Sequence, residues 1–212
     1  MILQLLNNPV NLLNYFFSNM FFSTLHNILN RRFNTKLTNN FTALTHACGC
    51  TLLAGNYLLN KKMSSYNALK IFSSGYFIYD FLLLIKHWEP KTLNYAYLYH
   101  HSASIYLMHQ KPELYSSGRL FFFAELSNIP SYFVYYFQKQ NPKNHNLIKK
   151  LKYLQFFMYS IIRVPIVGKI LFDGYKAAKG KDGSYVPFFI GSPVFFMGLI
   201  WSKKLFDKLN ID

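Results

Sequence analysis

The sequence predicts an all-α membrane protein, a polytopic transmembrane helical bundle with about six to seven spans around a polar cavity. Two observations lead to this prediction. Of the 212 residues, 51% are hydrophobic and 19% are aromatic, but only 15% are charged, whereas soluble domains usually carry about 25% charged residues. In addition, apolar blocks of nearly the length that a helix needs to cross a bilayer alternate with short basic loops.

Six apolar blocks predict helical spans. They occupy residues 41–59, 71–85, 95–108, 120–137, 153–172 and 186–202. Two blocks are short for a hydrocarbon layer of about 30 Å, and Tyr, Trp and Lys side chains at their ends are expected to extend them. Because neither a repeat nor a long linker separates the blocks, residues 41–205 are predicted to form one transmembrane domain, followed by a short tail at 206–212.

Residues 1–40 are predicted to hold a first helix and a basic loop. Within 1–25, a polar stripe from Asn7 to Ser18 and an apolar stripe from Leu6 to Phe21 repeat at helical spacing. Such a helix either lies along the membrane interface or spans the bilayer with its Asn face turned into the bundle. The sequence leaves both alternatives open.

The net charge of +15 lies mostly in the loops between the blocks, where Lys and Arg contact anionic headgroups and set topology. No zinc-ligand pattern or aromatic and basic platform accompanies it, so membrane lipids rather than nucleic acid are the predicted partners. More of the basic residues fall on the side that carries the C-terminus, and the positive-inside rule therefore predicts a cytosolic C-terminus.

Three ionisable residues, Asp80, Glu125 and Arg163, fall inside predicted spans. Each costs about 2.5–3.5 kcal/mol at the centre of a membrane helix, so we expect them to face the bundle interior. The remaining candidate binding and catalytic residues lie in or at the edge of spans, and they are His46, His100, His101 and Asn128. These seven residues form either an interhelical network that fixes the bundle or a functional cavity.

Local spacing groups some of these residues. Glu125 and Asn128 are three residues apart and share a helix face. Arg163 precedes Pro165 by two residues, and the proline predicts a kink there. His100 and His101 diverge by about 100° on a helix, so one ring is expected to point at the cavity axis while the other flanks it.

No metal site is predicted. The chain has seven histidines with one cluster, and it lacks HExxH and CxxC arrangements. Cys48 and Cys50 point about 200° apart on a helix, so they are not expected to pair or to hold a metal together.

Five stretches resemble the TLC family, which is named for the translocating-chain-associating protein, the longevity-assurance ceramide synthases and the ceroid-lipofuscinosis membrane protein. They read NNFTALTHACG around His46, SSGYFIYDFLLLI around Asp80, YLYHHSASIYLM around the histidine pair, GRLFFFAELSNIPSYFVYYF around Glu125, and IIRVPIV around Arg163. The resemblance covers roughly residues 40–205. It implies a compact ring of six helices enclosing a polar cavity that opens to the membrane, and residence in the endoplasmic reticulum or another internal membrane.

The resemblance also bears on activity. In ceramide synthases the counterpart of His100 and His101 is catalytic, and the enzyme acylates an amine from an acyl-CoA donor. Ceramide synthases carry a further signature rich in His and Asp after the pair, where this chain reads FFFAELSNIPSYF. The chain is therefore more similar to the small TLC-domain-containing proteins, several of which tune membrane lipid composition.

Two functions follow as expectations. The first is a protein that binds or regulates lipids without catalysis, alone, as a homo-oligomer or with membrane-protein partners. The second is a lipid N- or O-acyltransferase in which His100 or His101 acts as general base or acyl acceptor. In the second, no resident cofactor is expected, and acyl-CoA is the co-substrate. A transporter or channel-like role is a third alternative.

Overall fold

The structure is a computed structural model, and it describes residues 9–112, 116–140, 142–179 and 184–209. Over these residues the chain is helical without a strand, so the all-α prediction is confirmed. The described helices are α1 (Pro9–Asn30), α2 (Thr35–Asn60), α3 (Met63–Lys86), α4 (Thr92–Met108), α5 (Ser117–Gln138), α6 (His145–Ala177) and α7 (Val186–Leu209). Within α6, residues Phe157–Arg163 form a π-helix.

Each predicted block lies inside one helix, and most helices extend beyond their blocks. Specific caps set both ends of α2. The Asn34 side chain accepts a hydrogen bond from the backbone N–H of Leu37 at 3.0 Å, which starts α2 six residues before the predicted block. Lys61 adopts the left-handed conformation, with φ of 55°, and ends α2. At the other end of the chain, α7 continues to Leu209, so residues 206–209 of the predicted tail are helical.

The predicted first helix is α1. Residues 1–8 lie outside the described part of the chain, so the first positions of both stripes are not placed. Further along, Ser18 of the polar stripe packs on α3 and donates a hydrogen bond to the carbonyl of Phe72 at 3.2 Å. Phe17 and Phe21 of the apolar stripe are exposed. The polar stripe therefore turns toward the other helices, and the apolar stripe turns outward.

The contact between α1 and α3 depends on Gly75. A Cβ atom built on Gly75 would overlap the Ser18 side chain and lie 2.9 Å from the Ser18 carbonyl carbon. Asn19 Nδ2 also donates a hydrogen bond to the Gly75 carbonyl at 3.5 Å. The absence of a side chain at this position is what lets the two backbones approach.

We expect Gly75→Ala to lower the free energy of unfolding of the purified protein by about 1–3 kcal/mol, and therefore its melting temperature, because the methyl group must displace the α1 backbone. Gly55→Ala is the matched control, since a Cβ there would meet only the Phe122 ring, at 3.4 Å. The control is expected to be neutral or slightly stabilising, because alanine favours helix over glycine. Equal melting temperatures for the two variants would contradict the assigned role of Gly75.

Six helices close a ring in the order α2, α3, α4, α7, α6 and α5. Each helix packs on the next, and α5 returns to α2 through an extensive contact that closes the ring. The first helix packs outside this ring, against α3 and α2. Because α7 lies between α4 and α6, the spatial order differs from the order along the chain.

Three helices, α3, α6 and α7, are long and apolar enough to cross a membrane. This identifies the chain as a candidate membrane protein. Of the other ring helices, α2 and α5 have 26 and 22 residues, and α4 has 17. Large apolar side chains point outward from the ring, including Leu52, which is 74% exposed, and Leu59, which is 85% exposed.

Candidate functional site

The ring contains a cavity of about 850 Å³ that is lined by residues from all six of its helices. None of the described residues of α1 lines it. The cavity reaches the surface at the exposed residues Thr35, His87, Lys204 and Lys208. Along α2 its lining runs from Thr35 to His46, eleven residues, which corresponds to a depth of about 16 Å.

All seven residues singled out in the sequence line this one cavity. They are His46, Asp80, His100, His101, Glu125, Asn128 and Arg163, and they come from α2 to α6. We call this set the polar floor. The basic residues at the open end, His87, Lys204 and Lys208, are called the basic mouth. The floor therefore contains both carboxylates together with Arg163, and lysines lie at the entrance.

Arg163, Asn128 and Glu125 form a hydrogen-bonded chain across the floor. Arg163 Nη1 donates to Asn128 Oδ1 at 2.9 Å, and Asn128 Nδ2 donates to Glu125 Oε2 at 3.3 Å. Glu125 is 6% exposed and Arg163 is 8% exposed. The guanidinium also lies 4.6 Å from the centre of the Tyr159 ring. Two buried opposite charges are thus linked through a carboxamide, which satisfies part of the hydrogen-bonding demand of each.

The π-helix places Arg163 in this chain. Arg163 is its last residue, and Pro165 follows two positions later. The sequence predicted a kink at the proline, and the structure has a seven-residue π-helix that ends two positions before it. Because a π-helix rotates the residues that follow it relative to an α-helix, it changes which face of α6 meets the cavity.

His101 contacts Asp80. Its Nε2 lies 3.3 Å from Asp80 Oδ2, and the imidazole is almost fully buried whereas the carboxylate is partly exposed. Both His100 and His101 line the cavity. Although neighbouring residues on a helix diverge by about 100°, both imidazole rings lie at the cavity.

His46 extends from α2 to contact residues of both α3 and α5. Its ring stacks on Tyr76 with centroids 4.0 Å apart and an angle of 8°, and its Nδ1 lies 3.8 Å from Glu125 Oε2. Phe77 meets the same imidazole edge to face at 5.1 Å. These contacts hold the His46 ring in one orientation toward the carboxylate.

The floor has unused hydrogen-bonding capacity. Among the residues that the structure describes, four buried polar atoms of cavity-lining residues have no hydrogen-bond partner. They are His46 Nε2, His100 Nδ1, His101 Nδ1 and the Tyr159 hydroxyl. Buried polar groups in native proteins nearly always find a partner. The floor can therefore hydrogen-bond to a polar ligand after small side-chain rotations.

A second, smaller cavity of about 50 Å³ adjoins the floor. It shares His100, Glu125 and Arg163 with the main cavity, and its other lining residues are mainly apolar, such as Leu107 and Val167. The floor thus borders both the large cavity, whose lining includes charged residues, and a small cavity whose lining is mainly apolar.

Several cavity residues were not identified in the sequence. Tyr97, Tyr159 and Trp201 line the walls, and Gln155, Lys204 and Lys208 lie nearer the entrance. Helical spacing contains a signal for some of them, since Tyr159 precedes Arg163 by four residues, and Trp201, Lys204 and Lys208 fall on one face of α7. The sequence does not indicate that this face of α7 points inward. That follows from the ring order, in which α7 lies between α4 and α6.

Within the described ranges, no group of three or more His, Cys, Asp or Glu side chains is arranged to hold a metal ion. Cys48 and Cys50 are both free thiols, and Cys50 is buried. The prediction that the two cysteines do not pair is confirmed.

Together, the fold and the cavity define an all-helical protein that has three helices suited to a membrane and a cluster of polar and ionisable residues at an internal cavity. Comparisons with protein-family models, with curated proteins and with solved structures each found no match to this chain. The resemblance to the TLC family therefore rests on the sequence stretches alone.

Proposed function

We propose that this chain is a multi-pass membrane protein of the TLC type that binds or regulates membrane lipids through its central cavity. One observation carries the proposal: seven polar residues from five helices meet in a single cavity whose entrance is basic. Ionisable side chains inside membrane segments are costly, and they usually mark binding sites, relays or pathways.

The proposal includes about six spans formed by the ring helices, with α1 as an additional peripheral helix. Outward-facing Leu52 and Leu59 on α2 support lipid exposure of a helix that is less apolar than α3, α6 and α7. Polar residues on the inner faces of α2, α4 and α5 lower the mean hydropathy of these helices. That is the expected pattern for helices that enclose a polar site.

An amphipathic ligand fits the distribution of chemistry along the cavity. A polar group can hydrogen-bond to the floor, where imidazole nitrogens are available. A hydrocarbon group can contact the apolar cavity that adjoins His100 and Arg163. Lipids combine both properties, and this combination favours a lipid over a small ion or a sugar.

The proposed orientation places the basic mouth on the cytosolic side. The entrance lies at the ring end that carries the loops 31–34, 87–91 and 139–144 and the end of α7. These are the loops with the larger share of Lys and Arg, so the positive-inside rule supports a cytosolic C-terminus. The endoplasmic reticulum or another internal membrane is proposed from the TLC resemblance.

The lipid content of the purified protein tests this function. We expect Asp80→Leu and Glu125→Leu to insert normally, with Glu125→Leu less stable because Arg163 loses its counter-charge. Both are expected to change the amount or kind of lipid that copurifies with the monodisperse fraction, as measured by mass spectrometry. Asp207→Leu is the control, because Asp207 is exposed on α7 and does not line the cavity. If both floor variants and the control retain the lipid profile of the wild type, the cavity is not a lipid site.

Acyl transfer to a lipid is the second candidate function, and the contact between His101 and Asp80 favours it. His101 would take the proton from an amine or hydroxyl as that group attacks the thioester carbonyl of an acyl-CoA. A C–N or C–O bond forms, the C–S bond breaks, and the proton passes from the imidazole to the leaving thiolate. Asp80 would orient and stabilise the imidazolium, and Arg163 or Asn128 would face the developing oxyanion.

A further inference from the structure

We propose that the small apolar cavity next to the polar floor receives a short hydrocarbon group of the ligand. The ligand is then an amphipath that carries a hydrogen-bonding group, such as a hydroxyl, a few carbons from one end of a hydrocarbon chain. The inference rests on the proposed lipid-binding function and specifies the class of ligand. We call this space of about 50 Å³ the inner cavity. One water needs about 10–15 Å³ of such space, so the inner cavity can hold about three or four groups of that size.

The inner cavity lies on the far side of the polar floor from the basic mouth. The helices α4 and α6 run away from the mouth, and their lining residues Leu107 and Val167 come after the floor residues of the same helices. The helices α5 and α7 run toward the mouth, and on them Leu120 and Val194 come before the floor and the mouth. All four helices therefore place the inner cavity deeper than the floor, by about 6–10 Å.

Gly198 of α7 keeps the inner cavity open. It is buried, and among the described residues a Cβ atom built on it would meet within 4 Å only the Tyr159 hydroxyl oxygen, at 4.0 Å. Gly75 differs, because a Cβ atom there would overlap Ser18. Alanine is a better helix former than glycine, and at Gly198 it would also fit. Helix packing therefore does not account for this glycine, whereas a space that has to admit a ligand group does.

Polar atoms that can hold the ligand lie where the two cavities meet. His100 lines both cavities, and its Nδ1 is a buried atom without a hydrogen-bond partner in the described chain. The Tyr159 hydroxyl, close to Gly198, is in the same state. A hydroxyl group can donate to an imidazole nitrogen and accept from a phenol. With its hydroxyl held here, the ligand extends one hydrocarbon group into the main cavity and the shorter one into the inner cavity.

Positional isomers of dodecanol test this class of ligand. The purified full chain in detergent would be titrated with 1- to 6-dodecanol in competition with labelled 4-dodecanol. These probes have the same formula, and the number of carbons beyond the hydroxyl-bearing carbon rises from none to five. We expect the affinity to rise about tenfold from 1- to 4-dodecanol, because each buried methylene contributes up to about fourfold. The affinity should fall again at 6-dodecanol, because five carbons exceed the room in the inner cavity.

Two variants should shift the preferred isomer in opposite directions. Gly198→Ala reduces the room, so the optimum is expected to move to 3-dodecanol. Val167→Ala enlarges it, and the optimum should move to 5- or 6-dodecanol. Gly55→Ala and Val134→Ala are the matched controls, because neither residue lines the inner cavity and Val134 is as buried as Val167. Misfolding does not produce opposite shifts, so the pair separates loss of fold from a change in the size of the site.

Equal affinities across the series, tightest binding of 1-dodecanol, or no binding of 4-dodecanol would overturn the inference. So would the same shift in a control variant, because the effect would then not depend on the inner cavity. Copurified lipids separate this failure from that of the proposed function. If the floor variants change those lipids while the preference among isomers is absent, the lipid site stands and the assignment of the inner cavity alone is wrong.

Discussion

Replacing Arg163 by methionine is expected to destabilise the protein by about 3 kcal/mol or more. The substitution removes the cation at one end of the chain that runs through Asn128 to Glu125 and leaves the carboxylate buried without its counter-charge. Loss of one member of a buried pair typically costs about 3–5 kcal/mol, because the remaining charge is poorly solvated. The measurement is the melting temperature of the protein in detergent, followed by loss of the monodisperse peak.

A second substitution makes this prediction specific. Arg163→Met/Glu125→Gln removes both charges, so it should recover most of the stability that Arg163→Met loses, and a double-mutant cycle measures the coupling. Arg119→Met serves as the control, because Arg119 is exposed on α5 and does not line the cavity. Additive effects of the Arg163 and Glu125 substitutions would show that the two residues are not coupled.

For the acyltransferase candidate, His101→Ala is expected to lower the rate of product formation by about 10²- to 10⁴-fold, the usual contribution of a general base. The protein would be incubated with labelled acyl-CoA and a panel of lipid amines and alcohols. His100→Ala is expected to lower the rate as well, since both rings line the same cavity.

His109→Ala is the matched control for the histidine pair. His109 follows directly after α4, bonds to Tyr15 and to the Ile105 carbonyl, and does not line the cavity. Its loss should affect stability through the α1 contact and leave the rate per folded molecule unchanged. Wild-type rates in both His100→Ala and His101→Ala would exclude catalysis by this pair, and the lipid-binding function would then be the one to pursue.

The helices and the floor residues were predictable from sequence because both follow from the cost of burying polar groups. A charge such as Asp80 within an apolar block has to face inward, whichever helices surround it. The same reasoning applied to Glu125 and Arg163, and all seven candidates line one cavity. Hydropathy alone identifies three helices as candidate spans. The proposal that α2, α4 and α5 also cross the membrane rests on their place in the ring, because their polar inner faces lower their mean hydropathy.

The details that depend on packing between distant segments were not predictable. The sequence around Pro165 indicates a distortion of the helix, but it does not specify the π-helix that precedes the proline. Similarly, Trp201 and Lys208 read as ordinary residues at a membrane boundary. Their role at the cavity becomes visible only because α7 inserts between α4 and α6.

The position of α7 has a consequence for biogenesis. During synthesis α2 to α6 emerge first, and the gap between α4 and α6 is filled only when α7 follows. Until then, Arg163 and the histidine pair border an incomplete wall. If the ring inserts into a bilayer as proposed, that wall is open to acyl chains until α7 arrives, and we expect truncations that remove α7 to be degraded rather than to accumulate.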